Sequence, residues 1–448
     1  MFAMDSLDSG HSPPGFSVFT RVLAVAVLLS GCQGGLQPPA MLAFGRGMAP
    51  SDPAVSGQLL PGGSTASLVI ADLAARRSVL PPDSPYARVA GAVLSAAPGV
   101  EAAELGLARL RAEAARQNRW PSLSPLLTLD SLAGLAAQLV AEQPLLDHGR
   151  RRAERDLATA EVDLAAVTLS QRQNERAFTG LTLYLAAEQA RVQGRIAEGA
   201  AAQLDGLRRI VTERVAGGLS DRSEEQVIAQ TVAEMQATLA TDRQTRAQAL
   251  ADLAALARVT PPADLTGTSP LATIPQERAL SVLRATAEGA RTLAEARIAR
   301  ANALPGLSAV ATATPDRVTP GLRIGGAQIG AGSPAALAAA NAAPDLVARQ
   351  TAEAEQAAAR RRTELLGRID ALATRQSQGA EVLRQTKANL DLYVEQYRMG
   401  RRSLTDLTAQ TANAARLERD QAALAFEIAR TELELARDAG LLVDGGSL

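Results

Sequence analysis

Apolar residues recur along this chain with two different periods. Over residues 403–438, Leu407, Ala414, Leu417, Leu424, Ile428 and Leu435 fall on a heptad seam. That is the pattern of a helix lying along a partner helix. Residues 150–215 contain no proline, and Leu157, Val162, Leu164, Val167 and Leu169 recur among Arg and Glu. A continuous helix here would be about 100 Å long, with its charges on a solvated face. Gly217-Gly218 breaks it. Ser220 or Asp221 can cap a returning helix, which runs to Val259 and stops before Pro261-Pro262. The product is a helical hairpin far longer than a globular domain needs. A helix over residues 275–303 follows. Pro334 and Pro344 then bracket an Ala-rich connector. A long helix over residues 345–398 turns at Gly400 into the heptad segment.

Elsewhere the period is two. Leu123, Pro125, Leu127 and Leu129 alternate with Ser122, Ser124, Leu126, Thr128 and Asp130. Leu135, Ala137, Leu139 and Ala141 alternate with Ala136, Gln138, Val140 and Glu142. This predicts two strands joined near residues 131–134, although Ala and Leu also suit helices. Leu307, Ala309, Ala311 and Ala313 alternate with Ser308, Val310, Thr312 and Thr314, and Val318, Leu322 and Ile324 give a second strand beside them. Residues 32–80 are rich in Gly, Pro and Ser, which predicts a tether. Helical pattern begins after Pro81-Pro82, pauses at Ala97-Pro98-Gly99, continues through Leu105, Leu107 and Leu110, and ends at Pro121.

The order of elements occurs twice. Val215-Ala-Gly-Gly-Leu-Ser-Asp-Arg returns as Arg398-Met-Gly-Arg-Arg-Ser-Leu-Thr, with Gly217 over Gly400 and Ser220 over Ser403 at an offset of 183. Arg119-Trp120-Pro121-Ser-Leu-Ser returns as Ala303-Leu304-Pro305-Gly-Leu-Ser at an offset of 184. Anchors this far apart that keep their spacing indicate a tandem duplication, with a unit much longer than a solenoid repeat. The first repeat is placed at 81–262, the second at 263–440, and a tail at 441–448. Pseudo-symmetry is expected.

Composition narrows the chemistry. Aromatics are 2% of the 448 residues and the net charge is -1. An Ala-, Leu-, Arg- and Glu-rich chain of this kind reads as long helices packed through small side chains. Balanced charge gives no case for nucleic acid. His11 and His148 are the only histidines, and the sequence shows no metal cluster, catalytic triad or phosphate loop. Gly325-Gly326 and Gly330 are too loosely spaced to cradle a nucleotide, and His148 reads as a turn residue. The chain reads as a non-enzyme with no cofactor beyond a covalent lipid.

That lipid concerns the single cysteine. Arg21 precedes the apolar run Val22 to Leu29, and Ser30-Gly31-Cys32 follows. Residues 1–31 read as a signal peptide. Asp5, Asp8 and Pro13-Pro14-Gly15 do not suit its beginning, which places the expected translation start near Val18. Leu29-Ser-Gly-Cys32 resembles the bacterial lipobox, in which the cysteine thiol receives a diacylglycerol. The other reading is a plain secretory peptide with an incidental cysteine. Gln33, where inner-membrane lipoproteins carry Asp, implies outer-membrane sorting. Apart from this h-region, no apolar run reaches the ~18–20 residues of a spanning helix. A membrane crossing by the mature chain would need strands in a closed barrel.

Helix, two strands and a very long hairpin, duplicated behind a lipobox, resemble the TolC-type outer-membrane efflux proteins over residues 85–442. Four places carry the resemblance: Ala97-Pro-Gly-Val-Glu-Ala-Ala103 leading to Trp120-Pro121; Gln143-Pro-Leu-Leu-Asp-His-Gly-Arg150; Arg214-Val-Ala-Gly-Gly-Leu-Ser220; and Tyr397-Arg-Met-Gly-Arg-Arg-Ser-Leu-Thr-Asp-Leu407. The implied fold is mainly α with a small β part: two tandem long hairpins plus four short strands, forming a trimeric α-barrel with a 12-stranded β-barrel. Four strands cannot close a barrel, since the smallest have about eight; a homotrimer supplies enough. The resemblance further implies a channel of a tripartite efflux or type I secretion system. It would be lipid-anchored in the outer membrane with a large periplasmic part, working with a periplasmic adaptor and an inner-membrane pump. The hairpin turns, Gly217, Gly218, Leu219 and Ser220 and then Gly400, Arg401 and Ser403, would meet the adaptor. Tyr397 and Asp406 match gate positions, although Asp406 also reads as a helix cap. Ala409 stands where a further gate carboxylate is expected, and the first turn offers Ser223-Glu224. The second repeat lacks a counterpart of Gln143-Pro144-Leu145, and the strand regions offer only Trp120 for an aromatic girdle. A non-conducting coiled-coil scaffold lipoprotein with a degenerate version of this fold is the alternative.

Overall fold

A computed structural model describes residues 67–131, 134–259, 265–326, 330 and 332–447, with backbone alone over 127–137. Cys32, the signal peptide and the start near Val18 lie outside the described residues. The elements run α1 Leu68–Ala75, α2 Pro85–Ser95, α3 Val100–Arg116, β1 Ser122–Ser131, β2 Gly134–Leu146, α4 Arg150–Ala216, α5 Arg222–Ala257, α6 Leu280–Asn302, β3 Gly306–Ala313, β4 Val318–Gly325, α7 Ser333–Arg398 and α8 Leu404–Asp438. The chain is mainly helical with one small sheet. It divides into two compact units; among the described residues one holds 109–159 and 290–345, and the other holds the rest.

The first unit is built on a four-stranded antiparallel sheet in the order β1-β2-β3-β4. Paired residues of an antiparallel ladder share a face, so the register sorts the side chains. One face carries Leu123 with Ala141 and Pro125 with Leu139. It continues through Ala309, Ala311 and Ala313 of β3 to Leu322, Pro320 and Val318 of β4. The other face is mixed: it carries Ser122, Ser124, Glu142, Ser308, Thr312, Thr319 and Arg323, with Leu126, Val140 and Val310 among them. On it Arg323 reaches Glu142 at 3.1 Å. The apolar face is uncovered at its edges: Leu123 is 61%, Leu322 71% and Ile324 78% exposed.

The junction from β2 to α4 explains the motif around Asp147. His148 and Gly149 take positive φ of 52° and 83°, and turn the chain sharply. The Asp147 carboxylate accepts from the Gly149 N–H and the Arg151 N–H, both at 3.0 Å, which satisfies donors at the helix start. His148 Nε2 lies 3.0 Å from the Pro305 carbonyl. This histidine is a turn residue.

The second unit contains the main apolar core. Tyr86, Val89 and Val93 of α2 meet Leu181, Tyr184 and Leu185 of α4, Leu253 of α5 and Leu433 of α8. Two of the four tyrosines lie here, Tyr86 and Tyr184, edge to face at 6.1 Å, the favourable arrangement for an aromatic pair. Where large side chains are scarce, glycine lets helices approach. A Cβ on Gly180 would come within 2.7 Å of Val93. Glu188 is 4% exposed and binds Arg191 and the Gly267 N–H at 2.8 Å. Burial pushes its pKa up, but these hydrogen bonds and the Arg191 and Arg246 charges outweigh that and hold it below the usual carboxylate range.

Four expectations need correction. The tether expected over residues 32–80 stops short of residue 80: α1 is a helix capped by Ser67, and Val79 and Leu80 are buried in the core. Arg76, 4% exposed, donates to the carbonyls of Ala439 at 2.6 Å and Arg278 at 2.8 Å. The segment 441–448 is not a free tail: Leu441 and Leu442 are core residues and the Leu441 carbonyl accepts from the Val79 N–H at 2.9 Å. Local pattern carries no trace of such partners more than 360 positions away. The Ala-rich connector is itself helical, and Pro344 lies inside α7. Proline removes one helical hydrogen bond, and the strong helix propensity of the surrounding alanines carries the helix through. α6 also begins later than read, at Leu280.

Candidate gate and adaptor-contacting hairpin turns

Both long hairpins turn by the same backbone device. At the end of α4, Gly218 takes φ 71°; its N–H donates to the Val215 carbonyl at 3.1 Å, and the Leu219 N–H to the Arg214 carbonyl at 2.7 Å. At the end of α7, Gly400 takes φ 73°; its N–H donates to Tyr397 at 2.9 Å, and the Arg401 N–H to Gln396 at 2.8 Å. Each is a Schellman motif with its glycine in the left-handed position. Asp221 caps α5 through the Ser223 N–H at 3.3 Å. Ser403 caps α8 through the Asp406 N–H at 3.1 Å.

These geometries correct the internal alignment by one residue. Gly218, not Gly217, is equivalent to Gly400, and Asp221, not Ser220, is equivalent to Ser403; the offset is 182. A third pair agrees. Arg258 at the end of α5 takes φ 54°, and Gly440 beyond α8 takes φ 66°, again 182 apart. Where Gly217-Gly218 offers two glycines, identity alone cannot say which one takes positive φ.

One apolar cluster brings the two turns together. Leu204 and Val211 of α4, Ile228 and Val232 of α5, and Leu404 and Leu407 of α8 are buried in it. Leu390, Tyr393, Val394 and Tyr397 of α7 pack against it. Tyr397 is therefore half-buried at the α7 end of the cluster. Asp406 occupies the third position of α8. A carboxylate there faces the positive end of the helix dipole, and a Ser-x-x-Asp sequence at this place has the spacing of a capping box. Asp406 is 48% exposed and 4.0 Å from Arg402. Its counterpart in the first repeat is Glu224, at the third position of α5. Leu219 at the first turn is 74% exposed. Gly217, Gly218, Ser220, Gly400, Arg401 and Ser403 all lie in the two turns.

Sequence reading missed two residues here. Arg402 lies over the Tyr393 ring at 4.7 Å and donates to Gln396 Oε1 at 3.1 Å. Its four-residue spacing from Asp406 was a usable sign. Arg419 of α8 pairs with Asp242 of α5, a partner 177 positions away that no local pattern announces.

No family model matches the sequence, and neither does any curated protein. Solved structures do match the fold. A membrane protein from Pseudomonas aeruginosa superposes with a TM-score of 0.71 at 16% identity, over 88% of this chain and 98% of that one. The outer-membrane channel OprN gives 0.70 at 16%, over 86% and 98%. The outer membrane protein VceC from Vibrio cholerae gives 0.64 at 16%, over 80% and 96%. Element order, duplicated hairpins and four-stranded sheet agree with these likenesses: the chain has the fold of the TolC-type outer-membrane efflux proteins.

Proposed function

We propose that this chain is a passive export duct, the outer-membrane channel of a tripartite efflux or type I secretion system, and not an enzyme. The observation that carries the proposal is the two-faced sheet. One face presents Leu123, Leu322 and Ile324 with small apolar neighbours, and the other carries the charged pair Glu142 and Arg323 with Ser122, Ser124, Ser308, Thr312 and Thr319 beside Leu126, Val140 and Val310. A soluble sheet buries its apolar face, whereas a membrane barrel turns that face to lipid and its polar face to a lumen. β1 and β4 are the outer strands of a four-stranded sheet, and four strands do not close. A homotrimer with a 12-stranded barrel satisfies both edges. OprN is an outer-membrane channel, which supports the same reading.

In this reading Cys32 carries the lipid and the tether leads from it to Ser67. The turns at Gly218 and Gly400 meet a periplasmic adaptor, itself joined to an inner-membrane pump. Tyr397 and Asp406 form the gate. Native mass spectrometry of the detergent-solubilised protein should give a trimer, and planar bilayers should give a small, cation-preferring conductance. A stable monomer of full helicity would remove the barrel. Cys32→Ser should abolish a diacylglycerol adduct seen by mass spectrometry; an unmodified Cys32 in the wild type would overturn the anchor. One observation favours the scaffold alternative: the described strands lack an aromatic girdle, with only Trp120 at their foot, 60% exposed. An inserted trimer that never conducts would make the scaffold the better reading.

A further inference from the structure

The second hairpin is held to the first in three places along α8. Near its C-terminal end, Phe426, Ala429 and Leu433 join the main core. Beside the turns, Leu404 and Leu407 join the smaller cluster. Between these apolar contacts stands Arg419. Its guanidinium pairs with Asp242 of α5, Nη2 donating to Oδ1 at 3.0 Å. Nη1 also donates to the Gln193 carbonyl of α4 at 2.8 Å, and Gln193 Nε2 donates back to the Arg419 carbonyl at 3.3 Å. The two charged side chains are 16% and 10% exposed.

One helix of the second hairpin is thus bonded to both helices of the first. The duplication does not repeat this. At the 182 offset the counterparts of Arg419 and Asp242 are Ala237 and Leu424, which can form no such tie. The tie is present at one of the two equivalent places only.

We propose that Arg419 is a positioning residue: with Asp242 and Gln193 it fixes the second hairpin against the first, and so sets how closely the two turns approach. This rests on the duct reading above. Apolar contacts are non-directional and tolerate sliding. A planar guanidinium bonded to two partners fixes both distance and orientation. Separating it strands a charge in a poorly hydrated groove. Motion of the second hairpin during opening must break or pivot on this contact.

The test uses full-length protein with nitroxides at Leu219→Cys and Met399→Cys, which are exposed turn positions, diluted with unlabelled chain. Arg419→Met and Asp242→Asn should lengthen and broaden the label-to-label distance measured by pulsed electron resonance, and raise bilayer conductance several-fold. Arg419→Lys keeps the charge but not the fork and should give a smaller shift of both; it also serves if the Met variant fails to fold. An unchanged distance together with a lowered Tm would reduce the tie to ordinary stability and overturn the proposal. Tyr397→Phe with Asp406→Ala is the parallel control. If it opens the pore while the Arg419 and Asp242 variants stay closed, the duct stands and the tie has no positioning role. If the distances shift but no variant conducts, the tie stands and the duct reading fails.

Discussion

The two hairpin turns share a backbone and little else. Both end in a left-handed glycine, Gly218 or Gly400, with the same pair of Schellman hydrogen bonds, and both restart on a side-chain cap. The residue after the glycine is Leu219 in one and Arg401 in the other. The first turn presents an apolar side chain, Leu219, to solvent. The second presents arginines and pins one of them, Arg402, over Tyr393. Position 397 is tyrosine where its counterpart, 215, is valine. Duplication supplied the geometry twice; the chemistry diverged afterwards. A partner meeting both turns would read two different surfaces from one backbone template.

If the gate lies in the second turn, the largest effect should be confined to it. Tyr397→Phe with Asp406→Ala should enlarge the apo conductance several-fold and weaken cation preference, because the carboxylate's field acts most strongly where a pore is narrow. Glu224→Ala, the same change at the equivalent place of the first turn, should leave both unchanged. An equal effect from Glu224→Ala would mean that the turns are functionally as well as structurally symmetric. Unchanged selectivity in the double variant would return Asp406 to a capping role.

How far the fold was legible depends on how local its causes are. The heptad seam of residues 403–438 held because period is local: Leu407, Ala414, Leu424 and Leu435 are buried, and Leu417 and Ile428 half-buried. The four strands are as expected because alternation is local, and their register then separates an apolar face from a mixed one that holds the Glu142–Arg323 pair. The α1 helix was hidden because it is eight residues long, follows a Gly- and Pro-rich stretch, and is fixed by Arg76 bonding to Ala439 and Arg278. The Arg419 tie was hidden for the same reason. Both turns were visible in the sequence, and the register between them was off by one, since only φ distinguishes Gly218 from Gly217.

That distinction gives the next effect. Gly218→Ala and Gly400→Ala place a Cβ in the left-handed region and should each cost about 1–2 kcal/mol. Gly217→Ala meets only ordinary contacts, the nearest at 3.5 Å, and should be neutral or gain about 0.4–1 kcal/mol from the unfolded state. Thermal unfolding followed by circular dichroism checks the order. A costly Gly217→Ala with a harmless Gly218→Ala would restore the 183 offset.

Cap removal should be smaller and nearly equal at the two turns. Ser403→Ala and Asp221→Ala each lose one side-chain acceptor at a helix start, at about 1 kcal/mol. Ser403 accepts at 3.1 Å and Asp221 at 3.3 Å, and the charge of Asp221 at a helix start offsets its longer bond, so the two losses should be alike. Equal Tm shifts for Ser220→Ala and Asp221→Ala would mean that both residues share the cap.

The smallest effect isolates what distinguishes the second turn from the first. Arg402 is 43% exposed, so its charge interaction with Asp406, at 4.0 Å, is screened by water and salt. Its contact with the Tyr393 ring depends on the planar guanidinium stacking at 4.7 Å, and such a pair contributes about 0.5–1 kcal/mol at exposed sites. Arg402→Ala should therefore lower stability by roughly that amount, with only a weak dependence on ionic strength. Arg402→Lys keeps the charge and loses the planar stack, so it should recover part of the loss. A double-mutant cycle of Arg402→Ala with Tyr393→Leu measures the coupling directly. Coupling near zero would show that the arginine merely rests on the ring. Coupling that vanishes at high salt would give the contact to Asp406 instead, and the second turn would then differ from the first by an ion pair and not by a stacked cation.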